Sequence, residues 1–318
     1  MFYQTVPHAY AQSTINNFKS IWSKFIQFHS QHGLLIFPPI EINLRRYFMH
    51  LYNTRITYAS ICNYSSAIKM FYKLNGYDLL LSDIHIQLLM KAAKRDLSAE
   101  SKPKAPIEVP HLLHIITNAN YNEPLEYAFV AAAVTAFFAC LRRSNTVPPS
   151  AAAFDPKKHL TRQSIVFKQD AIVITLPWTK TLQNQDDIFT VTIAKPSQCV
   201  IDPVHILSSF FSAYPALPSD PAFSYYVNGK RFMLIQTALS KILKAKLTKM
   251  GVPAAAYSSH SLRRGGCSLM YMANVPAELL KAHGTWKSMC YLRYIALSHK
   301  QKKKPTLSMY QTINNMLQ

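Results

Sequence analysis

From Tyr127 to Leu141 the chain reads YAFVAAAVTAFFACL, fifteen residues without a single charge. A bilayer-spanning helix needs about 20 apolar residues, so this run predicts a helix buried on all sides in a protein core. It should begin near Pro124 and continue to Cys140–Leu141, and the rest of its domain must wrap around it. Arg142, Arg143, Ser144 and Asn145 follow at once. A guanidinium at the end of an apolar helix is costly unless it meets an anion; capping the last helix carbonyls is the plainer role. Composition says which anion to expect. The 318 residues hold 35 Lys and Arg against 15 Asp and Glu, a formal charge of +20. Such a balance points first to nucleic acid and second to an acidic membrane surface or protein. Binding to phosphates should weaken steeply with salt.

The length suits two domains. Apolar residues at Ile15, Phe18, Trp22, Phe25 and Ile26 predict an amphipathic helix over Ser13–His32, stopped by Gly33. Further helices are expected over Glu41–Tyr52, Thr57–Leu74 and Asp83–Leu97. Lys19, Lys24, Arg45, Arg46, Lys69, Lys73, Lys91 and Lys94 lie among them, either as a DNA-facing set or as ordinary solvated charges. Residues 1–100 thus form a helical domain. The stretch SKPKAPIE, residues 101–108, carries two prolines and two lysines and reads as a linker. Residues 109–318 make the second domain.

In that domain, a helix near Pro110 precedes the buried one. Alternating β-branched stretches at Ser164–Phe167, Ala171–Leu176 and Phe189–Ile193 predict short strands. The last two flank PWTKTLQNQDD, which places Lys180 on a hairpin. A helix bracketed by loops is expected within Pro196–Pro221, then a long basic helix over Arg231–Met250 whose lysines 241, 244, 246 and 249 face DNA or water. The fold class is therefore mainly α with a small β-sheet. Five cysteines without paired spacing suit reduced thiols. His111 and His114 lack partners at zinc-ligand spacing, and Asp186–Asp187 do not make the carboxylate cluster that two-metal chemistry needs. No metal, cofactor or membrane partner is expected, and no secretory signal is read at the N-terminus.

Ser258 to Leu297 carries the densest chemistry. His260 and Arg263 stand three apart at a helix start that Ser258 or Ser259 can cap, so they share a face. Gly265 and Gly266 leave room for a backbone or a phosphate. Trp286, Tyr291 and Tyr294 follow, and His283 is read as structural. The tail QKKKPTLSMYQTINNMLQ holds a basic cluster and a short helix-like segment.

The ordered set FFACLRRSN, HSLRRGG, HGTW and YLRYI resembles the tyrosine recombinase (phage integrase) family, with wording nearest to recombinases of eukaryotic Crypton and DIRS/Ngaro-type mobile elements. The resemblance implies a SAM-like, helical core-binding domain that helps close a clamp on DNA, followed by an α+β catalytic domain. It implies catalytic roles for Arg142, Lys180, His260, Arg263, Trp286 and Tyr294. Asn145 stands where the family's first box usually has an acid.

By that resemblance, the Tyr294 hydroxyl attacks a DNA phosphodiester, frees a 5′ hydroxyl and forms a 3′-phosphotyrosyl bond without metal or ATP. Arg142 and Arg263 complement charge on the nonbridging oxygens, a role worth roughly 10³–10⁵ in rate for arginines in other phosphoryl transfers. Lys180 protonates the leaving oxygen, and His260 does acid/base work for a phenol that ionises near pH ~10 when free. Trp286 offers an indole N–H to the phosphate. Tyr291 competes for the nucleophile; Tyr294 is preferred because Ile295 follows it and its distance from Trp286 fits the family. The partner is double-stranded DNA, held by a homo-tetramer on two sites, one dimer per site. The protein of a mobile element would act in the nucleus of a eukaryote, otherwise in the cytoplasm. A domesticated, catalytically silent DNA-binding copy and a type IB topoisomerase-like nicking enzyme are the alternatives.

Overall fold

Four amphipathic helices build the first of two units into which the chain divides, Met1–Pro103 and Lys104–Gln318. The structure is a computed structural model that describes residues 9–79, 83–98, 104–177, 189–286, 288–296 and 299–316. The four helices are α1 (Gln12–Gln31), α2 (Glu41–Asn53), α3 (Tyr58–Leu74) and α4 (Ile84–Asp96). On α1, Ile21, Phe25, Phe28 and His29 recur at helical spacing and are buried. Phe25 and Phe28 meet Tyr47 and Phe48 of α2 and Tyr72 of α3 in an aromatic core. The helix starts are built locally. Thr57 Oγ1 accepts the Ser60 N–H at 3.2 Å, and Asp83 accepts the Ile86 N–H at 3.0 Å, which removes orphan donors at each first turn. Asp83 also pairs with Arg45 of α2, which ties α4 to the bundle.

The second unit is organised by α6 (Pro124–Phe138), preceded by α5 (Val109–Thr117). Every residue from Ala128 to Phe137 is buried, so α6 has no polar face. It packs against α8 (Pro203–Ala213), α9 (Gln236–Lys249) and α10 (His260–Met272). The approach of α10 requires its glycine pair. A Cβ on Gly265 would lie 2.0 Å from the Ile107 carbonyl oxygen, and one on Gly266 would lie 2.0 Å from that of Phe137. Of the two neighbours the pair left open, backbone is the one it meets. The stretch read as a linker is described from Lys104, and there it is bound to this unit. Ala105 N–H donates to Ala256 O at 2.8 Å and Ile107 N–H to Ser261 O at 2.9 Å, with Ile107 buried.

The sheet is antiparallel in the order β1 (Ile165–Phe167), β2 (Ala171–Leu176), β3 (Phe189–Ala194). Ile174 faces Ile165 on one side and Val191 on the other, which puts the buried alternate residues of all three strands on the core face. Lys180 lies between β2 and β3, outside the described residues.

Four expectations change. The helix expected over Arg231–Met250 is instead a hairpin and a shorter helix. β4 (Ser224–Val227) pairs with β5 (Lys230–Met233) across Asn228–Gly229, both at positive φ (49° and 73°), and α9 begins only at Gln236. Asn-Gly is the dipeptide such a two-residue turn demands. Lys246 of α9 faces neither DNA nor water: it is buried, donates to Asn118 O at 2.8 Å and pairs with Glu126. The buried helix ends at Phe138, not at Cys140–Leu141. Cys140 turns left-handed (φ 48°) and Leu141 N–H returns to Ala136 O at 3.0 Å, a helix-closing pattern. After α10 comes α11 (Ala277–His283), which Gly284 ends. The tail forms α12 (His299–Met316), longer than the short segment expected, with Leu307, Met309, Tyr310 and Ile313 exposed.

Candidate active site

Because α6 stops at Phe138, the chain reverses before Arg142, which becomes the N-cap of a four-residue helix, α7 (Arg143–Thr146). Its guanidinium is half-buried and donates from Nη1 to Thr285 Oγ1 at 3.3 Å. Neighbouring Asn145 is buried. The helix-capping role weighed for Arg142 is not the one its side chain takes.

His260 opens α10, its N–H received by Ser258 Oγ at 3.2 Å. Three residues on, Arg263 is 1% exposed. It donates from Nη1 to Cys140 O and from Nη2 to Gly284 O at 2.7 Å. Its guanidinium carbon lies 4.2 Å from the Trp286 ring centre and 5.0 Å from that of Tyr294, a cation held on aromatic faces. Burial, followed by the charge of Arg142, brings its pKa down to about 10, against the pull of Tyr294 and Cys140. It stays a cation at neutral pH. Its Nε has no hydrogen-bond partner among the described residues.

Trp286 is 4% exposed and its indole N–H also lacks a partner among the described residues. Gly284 lies directly beneath the ring, for a Cβ there would stand 1.7 Å from Trp286 Cζ3. A 3₁₀ turn, Met289–Arg293, then brings round Tyr294, whose N–H donates to Tyr291 O at 2.8 Å. Ser268 of α10 donates to the Tyr294 carbonyl at 3.2 Å, and Arg264 Nη1 to the Arg293 carbonyl at 3.0 Å, so α10 fixes the tyrosine segment from two positions. The Tyr294 ring is 5.3 Å from Trp286 and 5.8 Å from His260, centre to centre.

Arg142, His260 and Tyr294 line an open concavity of about 570 Å³ together with Arg143 and Gln236, whereas Arg263 and Trp286 lie buried behind it. Among the described residues no carboxylate lines it, and no ion pair neutralises Arg142, Arg143 or Arg263. His260 lines the opening, yet its pKa is lowered. The part of the ring that is covered is the first cause, and the guanidiniums of Arg263, Arg142 and Arg143 follow. The imidazole therefore remains neutral, and a proton acceptor, below the pH at which a free histidine charges.

Arg142, His260, Arg263, Trp286 and Tyr294 are thus brought together from three segments of the chain. Lys180 lies outside the described residues. Tyr291, the competing phenol, is buried in a small cluster with Cys140, Cys267, Leu280 and Trp286 and does not line the concavity. His283 donates from Nε2 to Phe138 O at 2.7 Å and so fastens α11 to the end of α6. Sequence reasoning missed Gln236 and Thr285. Gln236 was placed inside a continuous helix; the Asn-Gly turn before it was the available signal. It is held by its side-chain amide on Val147 O at 3.0 Å and its backbone N–H on Pro148 O at 2.9 Å. For Thr285 no local signal exists, since its role depends on a contact 143 residues away in sequence.

No protein-family model matches the chain, and no curated protein does. Solved structures do match. XerH site-specific recombinase bound to its difH substrate aligns with a TM-score of 0.60 and 13% identity, over 92% of this chain and 78% of that one. The Tn1549 transposon integrase, residues 82–397, in complex with circular-intermediate DNA gives 0.57 and 13%, over 89% and 91%. A lambda integrase dimer bound to a COC′ core site gives 0.58 and 14%, over 92% and 91%. The fold, mostly helical with small antiparallel sheets, is that of tyrosine recombinase catalytic domains.

Proposed function

We propose that the protein breaks and rejoins DNA strands as a tyrosine-type site-specific recombinase or integrase. The observation that carries this reading is the gathering of His260, Arg263 and Trp286 around the Tyr294 ring, which lines with Arg142 a basic concavity that holds no carboxylate among the described residues. The bound-DNA recombinases and integrases with the same fold support it. Tyr294 Oη attacks the phosphorus, and the bond from phosphorus to the 5′ oxygen breaks. His260 takes the phenol proton, and Lys180 delivers one to the departing oxygen. Arg142 and Arg263 meet the charge on the nonbridging oxygens, and the unpartnered Trp286 N–H adds a donor. The phosphotyrosyl bond keeps the energy of the broken one, so a second 5′ hydroxyl reverses the step.

The finer reading follows the sequence. The N-terminal unit, with Lys19, Lys24, Lys69 and Lys73 on its helices, is the core-binding domain. The working assembly is a tetramer on two duplex sites, encoded by a mobile element of the Crypton or DIRS/Ngaro kind and acting in the nucleus.

The test uses suicide duplexes built from the sequences that flank the gene. The full chain should yield a DNA adduct that survives denaturant, and Tyr294→Phe should yield none. Tight binding without any adduct would favour the silent DNA-binding alternative. Plasmid relaxation that needs no second site would favour the topoisomerase-like one.

A further inference from the structure

Among the described residues, five other than glycine hold positive φ: Arg55, Cys140, Asn228, Asn274 and Thr285. Asparagine tolerates this region, whereas a β-branched residue there is a real outlier. Thr285, at φ 59°, is the one such case among the described residues. Glycine would take that conformation freely, and the chain places a glycine one residue earlier. Gly284 has φ −88°, which any residue adopts; it is glycine because the Trp286 ring leaves no space for a Cβ. The position that conformation reserves for glycine carries threonine, so strain is held there and its hydroxyl must do something glycine cannot.

Thr285 is 5% exposed, and its Oγ1 accepts the Arg142 Nη1 hydrogen bond. The adjoining Gly284 carbonyl accepts from Arg263 Nη2. One dipeptide thus holds both guanidiniums, Arg263 through a carbonyl and Arg142 through a side chain. We infer that Thr285 is a positioning residue for the proposed strand cleavage, fixing the Arg142 guanidinium beside that of Arg263 so that both face one phosphate. The inference rests on the active-site reading above. Thr285 itself touches no reacting atom. Loss of its acceptor frees a long, flexible cation that must then be ordered again in each transition state.

The experiment compares Thr285→Val, Thr285→Ser and Thr285→Gly in the full chain. Valine keeps the shape and the strain but removes the acceptor; serine keeps the acceptor; glycine removes strain and acceptor together. Adduct formation should slow about tenfold or more in the valine and glycine variants and stay within about threefold in the serine variant, as for a hydrogen bond to a charged group. Affinity for uncleaved duplex should be unchanged in all three. The glycine variant should melt at or above the wild-type temperature, a combination of kept stability and lost rate that a merely structural threonine would not produce.

A readout independent of cleavage is the NMR titration of His260, which is faced by Arg142, Arg143, Arg263 and Tyr294. Its pKa should rise when Arg142 is released, in the valine and glycine variants but not in the serine one. Wild-type cleavage rate in Thr285→Val, or a His260 titration the same in all variants, would overturn the inference. A wild type that forms no adduct defeats the strand-cleavage reading, and the His260 titration still decides whether Thr285 holds Arg142.

Discussion

Arg45 of the first unit and Arg263 of the second are cations handled in opposite ways. In the first, Arg45 is matched by Asp83, with Glu41 one turn away, and the pair joins two helices. In the second, Arg263 is more deeply buried than any described Lys or Arg of the first unit, and it meets carbonyls, aromatic faces and another guanidinium, but no carboxylate among the described residues. A buried charge without a counter-ion is among the costliest features a core can hold. The Arg45 arrangement serves the fold; the Arg263 arrangement leaves a positive charge for something outside it. On the function proposed above, the anion that Arg263 lacks is the scissile phosphate of the DNA.

The largest test of that contrast is Arg263→Lys. A point charge cannot reproduce the planar fork, so adduct formation should fall by roughly 10³ or more, the range seen for arginines that stabilise phosphoryl transfer. The melting transition should move far less, since the fork's two carbonyl contacts are worth about 1–3 kcal/mol. Equal losses of stability and rate would make Arg263 a structural residue like Arg45.

Next is Gly266→Ala, which asks whether the site depends on how closely α10 meets α6. The added Cβ cannot be accommodated 2.0 Å from the Phe137 carbonyl oxygen and 2.9 Å from Cys140 Sγ. We expect the second unit to lose about 3 kcal/mol, the upper range for overpacking, while a thermal scan finds the first unit's transition in place.

The smallest effect is expected from Arg45→Met, a modest fall in the first unit's melting temperature that shrinks with added salt. The Arg45 hydrogen bond holds the Asp83 carboxyl below its ordinary 3.8. The pair's contribution is therefore complete above that value and is lost as pH falls through the lowered one. Melting curves of variant and wild type should converge in that acid range.

Much of the architecture was legible because it is written in local patterns. The apolar stripe of α1, the Thr57 and Asp83 caps and the alternation of β2 each lie within one turn or one strand of themselves. The β4–β5 hairpin was legible too, in Asn228–Gly229, but the Lys- and Leu-rich run behind it drew the expected helix too far forward. Other features depend on contacts between distant segments. Lys246 looks like a surface lysine until Glu126 and Asn118 meet it across more than a hundred residues. The left-handed Cys140 departs from what its residue type favours, and only Arg263 gives its carbonyl a purpose. For the candidate site, the residue types and their order could be read from the chain, whereas the division of labour between buried Arg263 and half-exposed Arg142 could not. Tyr291 and Tyr294 likewise differ little in sequence context and sharply in burial.

That difference between the two tyrosines allows the most direct test. Wild-type protein is trapped on a suicide duplex and digested, and the peptide that retains nucleotide is sequenced by mass spectrometry. The account predicts the nucleotide on Tyr294, through a 3′-phosphate. Attachment at Tyr291, at any other residue, or through a 5′-phosphate would contradict it.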